Sequence, residues 1–379
     1  MKETGYRIAL LPGDGTGPEV IHAGRQVLDA AAEGAAAPWT LEEYPAGALY
    51  YRDHGQEWAP GAEQAARSAD AILLGAVGWP GVSLPNGDIA GAGLIFGLRF
   101  GLDLFANVRP CRLYPGVRHR ISGKWKEVWT PENVDFVIVR ENTEGLYTPI
   151  RGALSRGGET ELAIDTRVTT RKGAERVIRY AFELSRRRAR GAPEDHKRRV
   201  TCVDKANVLR GCQFFREVFE DVGAQYPDIE REYAYVDAFT QWMVRNPEHY
   251  DVVVTTNMFG DIVTDLAAVL QGGMGLAAGG NIGAQHAMFE PVHGSAPKHA
   301  GKNEINPFAT FFAIEMMLRW LGERHEDPRM TTQADRIERA IAHVLADGSA
   351  RTYDQGGATT TSGAGDRVSE AIQIGRAHV

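Results

Sequence analysis

Short apolar runs alternate with longer amphipathic stretches along this chain. Arg7–Leu11, Ala71–Leu74, Phe136–Val139, Val200–Val203 and Val252–Thr255 are brief runs rich in Val, Ile, Leu and Ala. Runs this short and this apolar predict strands buried on both faces. Pro18–Ala32, Ala174–Arg188, Gln213–Glu220 and Asp261–Leu270 space their apolar residues three or four apart. That spacing predicts helices packed along one face. Strands alternating with helices predict an α/β fold with a largely parallel sheet, because parallel neighbours need a crossover between them. No internal repeat or long linker interrupts the order. The alanine-rich Ala31–Pro38 predicts a helix end and a turn. Leu266–Gln285 is uncharged and long enough to cross a bilayer, but its six glycines predict a helix end and a glycine-rich loop instead.

A length of 379 residues gives room for about two domains. Hydrophobic residues are 43% and charged residues 24%, which excludes a disordered tail, a collagen-like chain and a small disulfide scaffold. The formal charge of −7 requires no polyanionic partner. One local exception is 185–199, with seven basic residues against two acidic. No Phe, Tyr or Trp is interleaved there, so it reads as a basic helix end and a solvated loop rather than a nucleic-acid surface. Cys111, Cys202 and Cys212 form no CxxC pair, and the expectation is reduced thiols in a cytoplasmic protein. Met1-Lys2-Glu3 leads almost directly into the first strand, so no secretion signal is expected.

Candidate chemistry begins with carboxylates. Tyr250–Asn257 reads as a buried strand feeding a helix that carries Asp261 and Asp265. At i and i+4 the two share a helix face and repel one another. Two carboxylates after a strand suit a hard divalent cation, Mg²⁺ or Mn²⁺. The plainer alternative is a dipole partner at the helix start and a solvated neighbour. Asp237 is a third candidate ligand from elsewhere. Arg99, Arg109 and Arg140 stand beside strand-like segments, and a guanidinium grips a carboxylate with two parallel bonds. Together they would suit a di-acid or tri-acid; singly, each could be a surface ion pair. Tyr147 and Lys205 could act as acid and base if buried near a cation. No phosphate loop of the G-x-x-x-x-G-K-[ST] type is present. Gly273–Ala278 matches a relaxed dinucleotide fingerprint but follows a helix rather than a strand. Pro12–Glu19 follows the first strand, and its glycines allow a ligand close to the backbone. Glu290–Pro307 reads as a binding loop rather than a core element.

In this order the motifs resemble the β-decarboxylating dehydrogenases, the family of isocitrate, homoisocitrate, 3-isopropylmalate and tartrate/D-malate dehydrogenases. The segments carrying the resemblance are LLPGDGTGPEV at 10–20, LRFGLDLFANVRPCRLYPG at 98–116, VRENTEGLY at 139–147 and DKANVL at 204–209. They continue with 236–268 and with EPVHGSAPKHAGKNEINP at 290–307. The resemblance covers nearly the whole chain. It implies two α/β domains, a mostly parallel central sheet and a cofactor site unlike the usual dinucleotide fold. Residues 1–104 and 273–379 would form a large cofactor domain. Residues 105–272 would form a small domain with a dimer interface and an interlocking segment. The active site would lie between domains and borrow residues from the second subunit of a homodimer.

By motif position, the resemblance makes Arg99, Arg109 and Arg140 substrate-carboxylate ligands. Tyr147 becomes the proton donor and Lys205 the catalytic lysine supplied by the neighbour. Asp261 and Asp265 become metal ligands, completed by the neighbour's Asp237. His293, Gly294, Ser295, Ala296, Pro297, Lys298, His299 and Asn306 become the adenosine loop. The implied reaction is hydride transfer from C2 of a 2-hydroxy di-acid to NAD or NADP, followed by loss of the β-carboxylate.

Two departures bear on specificity. NAD-using members carry an acidic residue after Gly-Ser-Ala-Pro, whereas this chain has Lys298-His299. A cation there attracts a 2′-phosphate, and Tyr353 resembles a second phosphate contact, so the expectation leans to NADP over NAD. The arginine expected four residues later is absent, and Gly357 stands in its place. Isocitrate enzymes place Ser and Asn where this chain has Gly93 and Ile95, which disfavours isocitrate. The apolar Leu94-Ile95-Phe96 suits a 3-substituted malate resembling 3-isopropylmalate, with tartrate/D-malate, homoisocitrate/isocitrate or an unusual 3-substituted malate as alternatives. A silent regulatory subunit would have lost catalytic residues, and these are present. The implied partners are therefore a small di-acid and a second copy of the chain, with no nucleic acid and no membrane.

Overall fold

The computed structural model describes residues 5–33 and 39–375; the expected turn at 34–38 and the start of the chain lie outside them. The chain forms two compact units, each α/β, with mostly parallel sheets as the alternation predicted.

The first unit takes residues from both ends of the chain, Met1–Asp103 and Ala268–Val379, together with Leu113–Thr130. Its strands are β1 (Tyr6–Gly13), β2 (Trp39–Glu43), β3 (Ala71–Ala76), β13 (Ala278–Ile282) and β14 (Ala287–Pro291). β2, β1, β3 and β14 run parallel in that order, and β13 joins antiparallel to β14. A hairpin of β5 (His119–Ile121) and β6 (Lys124–Lys126) belongs here as well. The helices are α1 (Gly17–Ala32), α2 (Ala48–His54), α3 (Ala62–Ser68), α4 (Ala92–Gly101), α9 (Phe308–His325), α10 (Pro328–Asp347) and α11 (Thr361–Ile374). Pro18 opens α1, where a missing N–H costs nothing, and Val20, Ile21, Val27 and Leu28 bury its inner face.

The second unit holds Leu104–Arg112 and Pro131–Ala267. Its strands are β4 (Ala106–Arg112), β7 (Asp135–Glu141), β10 (Arg199–Asp204), β11 (Glu230–Tyr235) and β12 (Val252–Thr255). β11, β10, β12 and β7 are parallel, and β4 pairs antiparallel with β7. Its helices are α5 (Arg171–Arg188), α6 (Arg210–Gly223), α7 (Val236–Arg245) and α8 (Asn257–Leu270), the last all but its final turn. α5 starts where the Thr170 hydroxyl accepts from Gly173 N at 3.0 Å. A hairpin of β8 (Arg151–Arg156) and β9 (Glu159–Asp165) is exposed at every residue, including Leu154, Leu162 and Ile164.

Three expectations change. The boundary expected at 104/105 put Leu113–Thr130 in the middle segment. It packs instead with the first unit, through His119 Nε2 to Leu270 O at 2.9 Å and Arg118 N to Gln355 Oε1 at 3.0 Å. The glycine-rich loop expected after α8 contains a buried strand, β13. Glycine has a low strand propensity, but Gly280 lies where a Cβ would press on Phe289 at 3.0 Å, so close packing favours glycine there. Glu290 and Pro291, expected in a binding loop, end β14, and Glu290 is buried.

The basic run at 185–199 is locally neutralised. Arg186 and Arg198 pair with Asp228, Arg188 and Arg190 with Asp135, and Arg199 with Asp195 and Glu230. In the same network His249 is held at 2.9 Å by both Glu194 and Glu232. Burial pulls its pKa down, but the two carboxylates outweigh burial and leave it above its ordinary value. A raised histidine contributes stability that is fully present below about pH 6.5 and is lost as pH rises through the folded value. We expect His249→Gln to lower stability by about 0.5 kcal/mol at pH 6, the modest value of a screened pair. The deficit should vanish by pH 9; urea melts of both proteins at the two pH values measure it, and an equal deficit at both would show that charge is not involved.

Among the described residues no helix is long and apolar enough to cross a membrane. The three cysteines are buried, unpaired with one another, and burial pushes the Cys111 and Cys202 thiols up.

Candidate active site

In open parallel sheets ligands bind beyond the carboxyl ends of the strands. The second unit places its chemistry there. β7 carries Arg140 as its penultimate residue and leads to Tyr147; β10 leads to Lys205; β11 to Asp237; β12 to Asn257 and Asp261. Each strand is held by its neighbours, so the first residues after it inherit a fixed position.

Arg140 is almost fully buried, at 1% exposure. Its Nε and Nη2 donate to Asn257 Oδ1 at 2.9 and 2.7 Å, and Nη1 donates to Asp261 Oδ1. The other oxygen of Asp261 accepts from the Tyr147 hydroxyl at 2.7 Å. The guanidinium also lies 5.4 Å from the Tyr147 ring centre. Gly260 permits this approach, because a Cβ there would meet the Arg140 stem at 2.6 Å. Asn257 is tied down in turn by its Nδ2 donating to Glu144 O at 2.9 Å.

Arg109 comes from β4, beside β7. Its Nε donates to Asn107 Oδ1 at 2.7 Å, its Nη1 to Thr264 Oγ1 at 3.2 Å, and Asp265 lies 4.0 Å from Nη1. Asp265 is largely exposed. Partial desolvation and the like charge of Asp261 hold its carboxyl above the ordinary value, against the pull of Arg109 and Arg140. Two neighbouring carboxylates on one helix face, both oxygen donors and one with its proton affinity raised, fit a hard divalent cation.

Lys205 Nζ donates to Asp237 Oδ1 at 2.5 Å. That contact holds the Asp237 carboxyl below its usual value. Lys205 follows Asp204, a fully buried carboxylate clamped by Arg216 Nε and Nη2, both at 2.8 Å. Among the described residues no three acidic, histidine or cysteine side chains converge as a metal cage. One chain thus joins Asp261 with Tyr147 and Arg140, and separately joins Asp237 with Lys205.

The first unit carries the remaining candidates. Arg99 Nη2 donates to Glu290 Oε1 at 3.1 Å, and both are buried. Glu290 is also held by Asn281 Nδ2 at 2.8 Å. Leu94, expected to touch substrate, is fully buried in the core. Ile95, one turn before Arg99, is half-buried, and Phe96 and Phe100 carry the exposed apolar surface of α4.

Three loops follow the carboxyl ends of β1, β3 and β14. Asp14, fully buried after β1, accepts from Ala48 N and Leu49 N at the start of α2 and from Gly78 N after β3, at 2.7–2.8 Å. Thr16 N donates to Ser295 O at 2.9 Å. Gly15 has φ +61° and the Ser295 carbonyl where a Cβ would stand, so a side chain is excluded. Ala296 has φ +40°, a strained value for a residue with a Cβ. His293 Nε2 is buried with no hydrogen-bond partner, and burial lowers its pKa. Gly294 and Lys298 are exposed, and Pro297 is half-buried. His299 bonds Glu304 at 2.8 Å and stacks on Tyr353 with ring centres 5.5 Å apart. The Asn306 side chain is occupied on both sides, donating to Asp354 Oδ2 and accepting from Phe308 N, each at 3.0 Å. An orphaned buried imidazole nitrogen beside a strained, glycine-lined loop fits an adenosine nucleotide.

Asn257, Asp204 and Glu290 were not singled out from sequence. Each stands next to a residue that was, and only pairing across the fold reveals its task.

Comparison with known proteins gives a consistent picture. The family model described as isocitrate/isopropylmalate dehydrogenase matches residues 7–368. A 3-isopropylmalate dehydrogenase of Thermobifida fusca is 40% identical over 370 residues, 97% of each chain. One from Corynebacterium glutamicum is 42% identical over 371 residues, 97% of this chain and 99% of the other. The crystal structure of isocitrate dehydrogenase from Methylococcus capsulatus matches with a TM-score of 0.83 at 36% identity, covering 97% of this chain and 99% of that one. An apo β-decarboxylating dehydrogenase from Thermococcus kodakarensis matches with a TM-score of 0.75 at 34% identity, covering 97% and 96%. With motif order, strand-end geometry and full-length similarity in agreement, the chain belongs to the isocitrate/isopropylmalate dehydrogenase family and is an oxidoreductase of its β-decarboxylating kind.

Proposed function

We propose that this enzyme oxidatively decarboxylates a 3-substituted malate resembling 3-isopropylmalate, with NADP as preferred hydride acceptor and Mg²⁺ or Mn²⁺ as cofactor. The observation that carries the reading is Asp261, whose two oxygens are shared between the Tyr147 hydroxyl and the Arg140 guanidinium, one helical turn from Asp265. The named relatives supply the substrate class, and the exposed apolar surface of α4 favours an alkyl substituent over a third carboxylate.

Asp261 and Asp265 would hold the metal, with Asp237 of a second copy. A divalent cation held there would supply Lewis-acid polarisation of the C2 hydroxyl and stabilisation of developing oxyanion charge. Arg109 and Arg140 bind the substrate carboxylates, and each is already aligned by a side-chain amide, Asn107 or Asn257. Arg99 is the third carboxylate ligand, oriented by Glu290. Lys205, as its neutral amine, accepts the C2 hydroxyl proton as hydride leaves. Tyr147 delivers a proton to C3 after CO₂ departs, its hydroxyl oriented by Asp261. The His293–His299 loop would hold the adenosine moiety, with Tyr353 stacked on His299.

The apolar side chains of the exposed β8–β9 hairpin are unburied in a single chain, which favours a homodimer with shared sites.

The test is reduced-nicotinamide absorbance with 3-isopropylmalate, 3-methylmalate, D-malate, tartrate, homoisocitrate and isocitrate, each with NAD and NADP. We expect one alkyl-malate to be turned over with Mg²⁺ and NADP, with rates falling to background in EDTA and returning on adding Mg²⁺. EDTA-insensitive turnover would overturn the metal assignment, and preference for isocitrate would overturn the substrate assignment.

A further inference from the structure

A second set of residues surrounds the far end of the nucleotide loop. The β5–β6 hairpin is tied to the turn at 353–356. Trp125 Nε1 donates to Asp354 O at 3.1 Å, and the Arg118 amide donates to Gln355 Oε1 at 3.0 Å. Gly356 sits under the Trp125 indole, where a Cβ would approach to 3.0 Å, and its φ of +79° also favours glycine. At the base of the hairpin His119 is buried and fastened to Leu270 O and Val128 N. The hairpin is thus fixed against the turn that carries Tyr353.

Arg120 is the cross-strand partner of Trp125, and its guanidinium lies 5.2 Å from the indole centre. This contact holds an exposed arginine in place without using its hydrogen-bond donors. Tyr353 stacks on His299 at an interplanar angle of 20°, and Lys298 precedes His299. Among the described residues neither Arg120 nor Lys298 pairs with a carboxylate. The nearby acids are engaged elsewhere: Asp354 by Asn306 and Thr352, Glu304 by His299. The Arg120 charge is felt at the Tyr353 hydroxyl, where it opposes burial, Asp354 and Glu304. Residues 352–360 contain no lysine or arginine, so the turn has no cation of its own.

We propose that Arg120, held by Trp125, is the specificity-determining cation for the 2′-phosphate of NADP, acting with Lys298 and the Tyr353 hydroxyl. Two unpaired cations and one hydroxyl donor suit a phosphate monoester, which carries close to two negative charges and accepts several bonds. The inference rests on the NADP reading above. It adds that the cation comes from a hairpin more than two hundred residues upstream of Tyr353 rather than from the C-terminal segment.

Calorimetric titration separates the two ideas without turnover. The intact protein is titrated with adenosine 2′,5′-bisphosphate and with 5′-AMP at fixed salt. The unchanged protein should prefer the bisphosphate. Arg120→Ala should reduce that preference by about tenfold to a hundredfold, the value of a charge-assisted bond. Arg120→Lys should retain part of it, and 5′-AMP affinity should be unchanged in both. Full preference in Arg120→Ala overturns the role of Arg120 and leaves NADP use standing. Equal weakening toward both nucleotides also overturns it, because that marks a structural role. No preference in the unchanged protein overturns the NADP reading and this inference together.

Discussion

Asp261→Ala should abolish turnover and lower stability by about 2–3 kcal/mol, below the usual range for an uncompensated buried charge because two bonds to Asn257 survive. Arg140 is 1% exposed, so the substitution leaves a largely buried guanidinium without its carboxylate partner. It also releases the Tyr147 hydroxyl from the oxygen that aims it. Asp261→Asn separates the two effects. An amide oxygen still accepts from one partner, so most stability should return, while a neutral ligand binds the cation weakly. The rate should stay at least about a thousandfold down, comparable to losing a principal source of oxyanion stabilisation. Urea melts and kcat for the three proteins decide it. Near-normal turnover in Asp261→Asn would show that neither the charge nor the metal at this position matters.

The second large effect is at Lys205. Lys205→Ala should lower kcat by about a hundredfold to ten-thousandfold, the usual range for a proton-transfer group, with a smaller change in KM. Its ammonium is partly exposed and its partner Asp237 more so, so the melting temperature should barely move. The shared-site reading then makes a sharper demand. Tyr147→Phe and Lys205→Ala proteins, each impaired alone, should recover about a quarter of normal activity when unfolded together and refolded, because half the dimers are mixed and half their sites complete. Recovery no greater than the sum of the two alone would place both residues in a site made by one chain.

Much of this was readable in the sequence. Val252–Thr255 declares itself by four consecutive buried residues, and α1 by its spacing and Pro18. Local patterns of that kind act over a few residues. β13 is hard to read because Gly280 is favoured by contact with Phe289, a residue on another strand. Leu94 and Ile95 are adjacent and similar in chemistry; only the packing of α4 decides that Leu94 enters the core and Ile95 does not. The site shows the same division. Asp261 and Asp265 announce a shared face by their spacing. Asn257, which orients Arg140 from over a hundred residues away, has no local signature.

The first unit's split origin affects how the protein is made. β3 is apolar and buried at all six positions, and it is flanked by β1 and β14. A ribosome finishes β1 and β3 early but does not supply β14 until residue 287, after the whole second unit has emerged. At ordinary elongation rates that interval is roughly ten to forty seconds. Through it one edge of a greasy strand stays unpaired, a template for pairing with another nascent chain. The middle of the polypeptide can meanwhile pair β11, β10, β12, β7 and β4 among themselves. Synthesis thus leaves the beginning waiting while the centre assembles, and the last hundred residues close what the first hundred left open.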